Sequence, residues 1–355
     1  FLLTAASIGF SIVALWQIYR TAMTLTGCAA ASLAATLMLA FSFTFWRQAV
    51  SIEVYPLHSA LIAWFLRIAA RDILAENRTH AEWIGIAFGL ALLTHIQTML
   101  LLPAYAFWFF FRKGAVISDS LRSAGWIIAA FLLLVIPAAI IPELTIASVF
   151  VDFRFTEQVF AFDSSVLISG FLKSIAYLVY NFHLFIAIIA LGAVNIYRER
   201  RNLFFLYVCV FIPVWGFAFR YPISDNYIFF LPAYLVLALT GAIGFAGLMD
   251  RFKNRKWLSA AFLAAAVILS PVIYRAAVFS AESITLARDA FTSVRYKGGA
   301  AYYLWPGLRK IPDPLALVRG QYPGGSRPPQ VGIAVWENLY PKATTYLRLR
   351  GELSF

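Results

Sequence analysis

Phe41-Ser-Phe-Thr-Phe-Trp-Arg-Gln-Ala-Val-Ser-Ile-Glu-Val-Tyr-Pro-Leu-His-Ser59 lies between two long apolar segments and carries Arg47, Glu53 and His58 to their edge. An ionised side chain well inside a bilayer costs about 2.5–3.5 kcal/mol on insertion scales. A chain that keeps an acid beside a membrane span gains something from it. The gain is either a salt bridge between helices or chemistry.

The surroundings are those of a membrane protein. Of 355 residues, 62% are hydrophobic and 13% charged, and the mean hydropathy is +0.78. A soluble domain is about half apolar and about a quarter charged. The fold class is therefore all-α, a polytopic integral membrane protein. The formal net charge of +12 would suggest nucleic acid in a soluble chain. Here the positive-inside rule accounts for it, and no nucleic-acid partner is expected. Cys28 and Cys209 fall in apolar spans, so no disulfide framework and no metal-type cysteine spacing exists. Four scattered histidines form no zinc motif. Phe1 already sits in an apolar run, which reads as a fragment whose N-terminal helices lie before it.

A span needs about 20 mainly apolar residues. Hydropathy predicts spans over 1–19, 26–46 and 52–68, the third with Pro56 in its first turn, where a missing N–H is harmless. Arg67, Arg71, Asp72, Glu76 and Arg78 then read as a polar loop. The run 82–111 is too long for one span and has basic residues beyond both ends, Arg78 before and Arg112 and Lys113 after. It reads as two short helices meeting near Thr94-His95-Ile96-Gln97. Such a break is allowed at membrane depth only where it is buried in protein or lines a cavity. Further spans are predicted over 126–141, 175–196, 203–219, 227–248 and 258–274, with a long loop over 142–173. The total is about nine spans or half-spans. The division is a transmembrane domain over 1–279 and a small extracytoplasmic α/β region over 280–355, with a candidate strand at Val331–Trp336.

Fourteen Lys and Arg residues fall in one set of loops and five in the other, outside the C-terminal region. The first set is therefore predicted to be cytoplasmic. Glu53, His95, Asp225 and the acidic loop Asp152–Asp163 come out on the extracytoplasmic side. Each has a plain structural reading. Glu53 at a helix start can cap the helix and pair with Arg47. Asp225, following Pro222, can cap the next helix through its side chain. His95 can be a hydrogen-bonded packing residue, as can Asn181 and His183. Asp152, Arg154 and Glu157 read as a solvated network. The sequon Asn77-Arg-Thr79 lies on the predicted cytoplasmic side and is given no role. From the residues alone, an enzyme using a lipid-linked substrate and a transporter both stand.

Phe45-Trp-Arg-Gln-Ala-Val50 running into Glu53-Val-Tyr-Pro-Leu-His58 resembles a signature of the membrane glycosyltransferase-like family that includes the eukaryotic transmembrane O-mannosyltransferase acting on plexin-type domains. That family belongs to the GT-C superfamily. Gly89-Leu-Ala-Leu-Leu-Thr-His95, Arg220-Tyr-Pro-Ile-Ser-Asp225 with Phe229-Phe-Leu-Pro232, and Tyr302-Tyr-Leu-Trp-Pro306 fit it in the same order. Two departures stand out. His58 occupies a position where the family usually has Asn. The acidic Gly-Asp-Ser-Gly-Glu-like motif, where the catalytic acid is expected, would lie N-terminal to Phe1, so the catalytic base is not named here.

The resemblance implies transfer of a hexose, such as mannose, from a polyprenyl-phosphate-sugar to a protein or glycan hydroxyl on the extracytoplasmic side. It implies membrane lipid, the lipid-linked donor and the acceptor as partners. With the bacterial members as guide, the expected location is an inner membrane, with the site facing the periplasm or exterior. No cofactor and no metal ligand is assigned, and a divalent metal stays an option. Arg47, Arg220 and His95 are expected to face the donor phosphate. Glu53, Tyr55, His58, Tyr221 and Asp225 complete the substrate-binding candidates. A transporter or flippase of lipid-linked sugars is the alternative. Only one broken pair is visible in the sequence, whereas transporters tend to repeat theirs.

Overall fold

The computed structural model describes residues 2–74, 80–112, 117–140, 163–221, 225–252, 257–292 and 299–306. These are mostly helical, with no strand among them. The candidate strand Val331–Trp336, the network Asp152–Glu157 and the sequon at Asn77 lie outside the described residues. Five described helices are long and apolar enough to cross a membrane, and a bent pair makes a sixth.

Helix α1 spans Leu2–Thr26. The next predicted span is broken into α2 (Ala29–Ala40) and α3 (Phe43–Ala49), bent by 71°. The Ser42 hydroxyl donates back to Leu39 O (2.7 Å), so it does not cap α3. The Asn181 Oδ1 instead accepts the Thr44 N–H at 2.8 Å, one of the donors a helix start leaves open. Helix α4 spans Tyr55–Leu74 and α5 spans Ala81–Thr94. His95 is extended (φ −158°, ψ 131°) and ends α5. A 3₁₀ turn over Ile96–Leu101 leads into α6, Leu102–Phe111, with Pro103 in its first turn. The expected break in this run is thus at His95. Helix α7 spans Ile117–Ile140.

The predicted polar loop after residue 68 is corrected. Helix α4 carries on through Arg67, Arg71 and Asp72, and Asp72 is buried. Its carboxylate accepts from His80 Nδ1 (2.6 Å), His80 N (3.1 Å) and Trp108 Nε1 (3.1 Å). Those bonds make burial of the acid tolerable and lock α4, α5 and α6 together at this end.

The single span predicted over 175–196 is also corrected. It is two helices, α8 (Ser164–Phe182) and α9 (Phe185–Glu199). They part at His183, which has a left-handed backbone (φ 47°). Helix α10 spans Arg201–Arg220 with Pro213 inside it. A 3₁₀ turn, Asn226–Phe230, precedes α11, Leu231–Arg251. Helix α11 is the central post, with 89% of its most apolar window buried, and it packs on α9, α2 and α1. A Cβ on Gly192 of α9 would collide with Thr240 O, and one on Gly244 with Ile188 O, so the two backbones touch. Helix α12 runs Trp257–Ser283, beyond its predicted end.

The chain divides into two compact units. The first comprises residues 1–277 with 305–307. Within the second, the described elements after α12 are the short helices α13 (Thr285–Thr292) and α14 (Gly299–Leu304).

Candidate functional site

Two stretches of irregular backbone converge beside the start of α4: the break at His95 and the turn around Asp225. Their bonding explains how they stay there. The Gln97 N–H donates to His95 Nδ1 (3.1 Å). The Gln97 side-chain amide donates to Phe229 O, tying the first 3₁₀ turn to the second. The Asn226 amide reaches back to Ala218 O (3.4 Å) and Tyr221 O (3.3 Å). His58 Nε2 and Thr98 Oγ1 share a hydrogen bond of 2.8 Å.

Rings fill the space between these ties. The His95 ring lies 5.2 Å from Tyr55, 5.3 Å from His58 and 6.0 Å from Phe229. Tyr55 also meets Phe229 edge-on at 6.1 Å. Tyr221 stacks on Phe217 (5.2 Å) and lies 5.4 Å from Phe229. Glu53, Asp225, Tyr221 and Tyr227 are all close enough to act electrostatically on the Tyr55 phenol. Because His95 Nδ1 accepts from the backbone, its ring proton sits on Nε2, leaving that atom as a donor.

Arg47 is buried, 5% exposed, with its guanidinium 5.5 Å from the Phe43 ring and 5.6 Å from Tyr227. Tyr227 thus joins the Arg47 surroundings to those of Tyr55. The Phe43 ring contacts Tyr180 (5.2 Å) and Tyr227 (5.6 Å). Trp46, next to Arg47, faces Trp305 at 6.3 Å.

The candidates therefore sort by geometry. Tyr55, His58 and His95 pack on one another. Glu53, Tyr221 and Asp225 lie within electrostatic range of Tyr55. Arg47 adjoins through Tyr227, and Arg220 ends α10 beside Tyr221. Two expectations are corrected. Glu53 does not start a helix: it lies exposed in the bend before Tyr55, because Pro56 sets the first turn. Asp225 makes no side-chain cap. Its backbone carbonyl accepts from Ile228 N (3.1 Å), while its carboxylate is left to the Tyr55 environment. Thr98 and Tyr227 are not among the sequence candidates, and Phe229 appears there only as part of the Phe229–Pro232 motif. The signal for Thr98 and Tyr227 was position, each lying within three residues of a named candidate. Among the described residues, no group of three or more His, Cys, Asp or Glu side chains is arranged to hold a metal ion.

Residues 2–118 match the family model described as protein O-mannosyl-transferase TMEM260 N-terminal domain. This is the family that the sequence motifs resemble. The matched segment contains Arg47, Glu53, Tyr55, His58 and His95, and ends before Arg220, Tyr221 and Asp225. No curated protein and no solved structure matches the chain.

Proposed function

We propose that this protein is a membrane glycosyltransferase that moves a hexose, mannose foremost, from a polyprenyl-phosphate-sugar to a protein or glycan hydroxyl. The proposed site is the Tyr55–His95–Asp225 region, on the extracytoplasmic face of a bacterial inner membrane. One observation carries the reading: a segment similar to an O-mannosyltransferase domain holds Glu53 and the His95 donor beside Tyr55, and within unit 1 Asp225, from outside that segment, joins them there.

The chemistry is a single displacement. The acceptor oxygen attacks the anomeric carbon, the bond from that carbon to the phosphate oxygen breaks, and polyprenyl phosphate leaves with the electron pair. A general base takes the hydroxyl proton. The growing phosphate charge needs donors and cations set in place beforehand. His95 Nε2–H, Arg47 and Arg220 are assigned that part. Glu53 and Asp225 orient sugar hydroxyls, acceptor or those cations around Tyr55. A divalent metal, if used, would enter with the donor phosphate.

The test is transfer of labelled mannose from a short polyprenyl-phosphate-mannose by the protein in detergent, with and without a chelator. Glu53→Gln and Asp225→Asn should each lower turnover at least about tenfold, the loss of roughly one charge-assisted hydrogen bond. Unchanged turnover in both removes them from the site. Folded protein that binds the lipid yet transfers neither mannose nor glucose would return the reading to transport. The number of breaks does not decide between the two, because helices are broken at Phe41–Ser42 and His183 as well as at His95.

A further inference from the structure

We infer that Arg20, Arg67 and Arg71, at the opposite end of the bundle from the candidate site, form a binding site for the phosphate of an anionic phospholipid. Helices α1 and α4 pack along each other. The Arg67 Nη1 donates to Gln17 Oε1 at 2.8 Å, which pins the two helices in register at this level. Arg20 lies three residues beyond Gln17 and Arg71 four beyond Arg67, about one turn along each helix. Both Arg20 and Arg71 act electrostatically on Arg67, so the three cations share one neighbourhood. Among the described residues, no carboxylate pairs with any of them. Asp72, next in sequence to Arg71, is fully engaged with His80 and Trp108 inside the bundle.

Three like charges held together raise one another's energy and are relieved by an anion between them. The apolar surface leading to them says which anion. On α1, Val13 is 45% exposed and Trp16 52% exposed, one turn apart and one turn before Arg20. The Trp16 ring carries the Arg20 guanidinium at 5.4 Å. On α4, partly exposed Leu61 and Trp64 lead in the same way to Arg67 and Arg71. Two apolar stripes ending on arginines offer a track for acyl chains and a seat for the headgroup. Basic pockets between spans on one leaflet bind anionic headgroups in this manner. Along α4 the seat lies about 24 Å from Tyr55, so it is separate from the proposed transfer site.

The test is retention of phosphatidylglycerol against phosphatidylcholine by the purified protein in detergent, read by native mass spectrometry and by thermal shift. The wild type should retain phosphatidylglycerol selectively, and added salt should weaken the selectivity. Replacing the exposed pair, Arg20→Gln with Arg71→Gln, leaves the Arg67–Gln17 bond intact. It should weaken retention by about fivefold per charge removed. Equal retention of both lipids by wild type, or an unchanged preference in the double variant, would overturn the inference. Inorganic phosphate giving the same thermal shift as the lipid would assign the cluster to a free anion and refute the lipid assignment.

Discussion

The side-chain amide of Gln97 donates to the main-chain carbonyl of Phe229, 132 residues away in sequence. That bond joins the break after α5 to the turn before α11, and so it holds His95 against Tyr55 and Phe229. Gln97 is 4% exposed. Gln97→Ala would leave a buried carbonyl without its donor, at a cost of about 1–3 kcal/mol. The expected result is a lower unfolding midpoint in detergent, with transfer reduced further than the loss of folded protein explains. An unchanged midpoint would show that the two breaks hold their places without the bond.

Tyr55→Phe keeps the ring contacts with His95 and Phe229 and removes only the hydroxyl that Glu53 and Asp225 act on. Folding should therefore survive. If the hydroxyl makes one polar contact with bound substrate, its loss, about 1–2 kcal/mol, corresponds to a drop of about 5–30-fold in kcat/KM. Wild-type kinetics in Tyr55→Phe would reduce this tyrosine to packing.

Asp72 should behave in the opposite way. Asp72→Ala leaves the buried Trp108 N–H without its acceptor and releases the partly exposed His80, at a cost of about 1–3 kcal/mol. The variant should unfold earlier and express less well. Turnover per folded molecule should stay at the wild-type value, since Asp72 is about 25 Å along α4 from Tyr55. A specific loss of turnover would mean that the two ends of α4 are coupled.

Asp163 gives a pH prediction outside the membrane. Hydrogen bonds from the Ser165 hydroxyl and the Ser165 N–H hold its carboxyl below its ordinary range. A lowered folded value means the cap is fully effective above the usual carboxylate range and is lost as pH falls through the folded value. Amide exchange in the first turn of α8, corrected for intrinsic rates, should rise on acidification below about pH 4. Asp163→Ala should show the raised exchange at neutral pH. Identical exchange in wild type and variant at pH 7 would mean the cap contributes nothing.

The break at His95 was legible because basic residues flank a run too long for one helix. The break at His183 was hidden for the opposite reason: residues 175–196 have the length and polarity of one unbroken span, and only backbone geometry reveals the left-handed residue inside. Burial of Asp72 was illegible because His80 and Trp108, 8 and 36 residues away, reach it only in three dimensions. The site followed the same division. Arg47, Glu53, His95 and Asp225 stood out as charges or polar groups beside apolar spans. Tyr227 did not, and Phe229 entered only within a motif, since aromatic residues make up 17% of the chain and one ring among so many carries little signal.

Helix α11, buried along most of its length, meets protein rather than lipid. In its most apolar window, α1 is only 22% buried, as are α8 and α12. When bilayer thickness changes, the outer helices meet the mismatch and can tilt or let flanking residues snorkel. The central post is shielded from it. The turn Asn226–Phe230 grows directly into that post, so the geometry around Tyr55 is insulated from the thickness of the membrane that holds the protein.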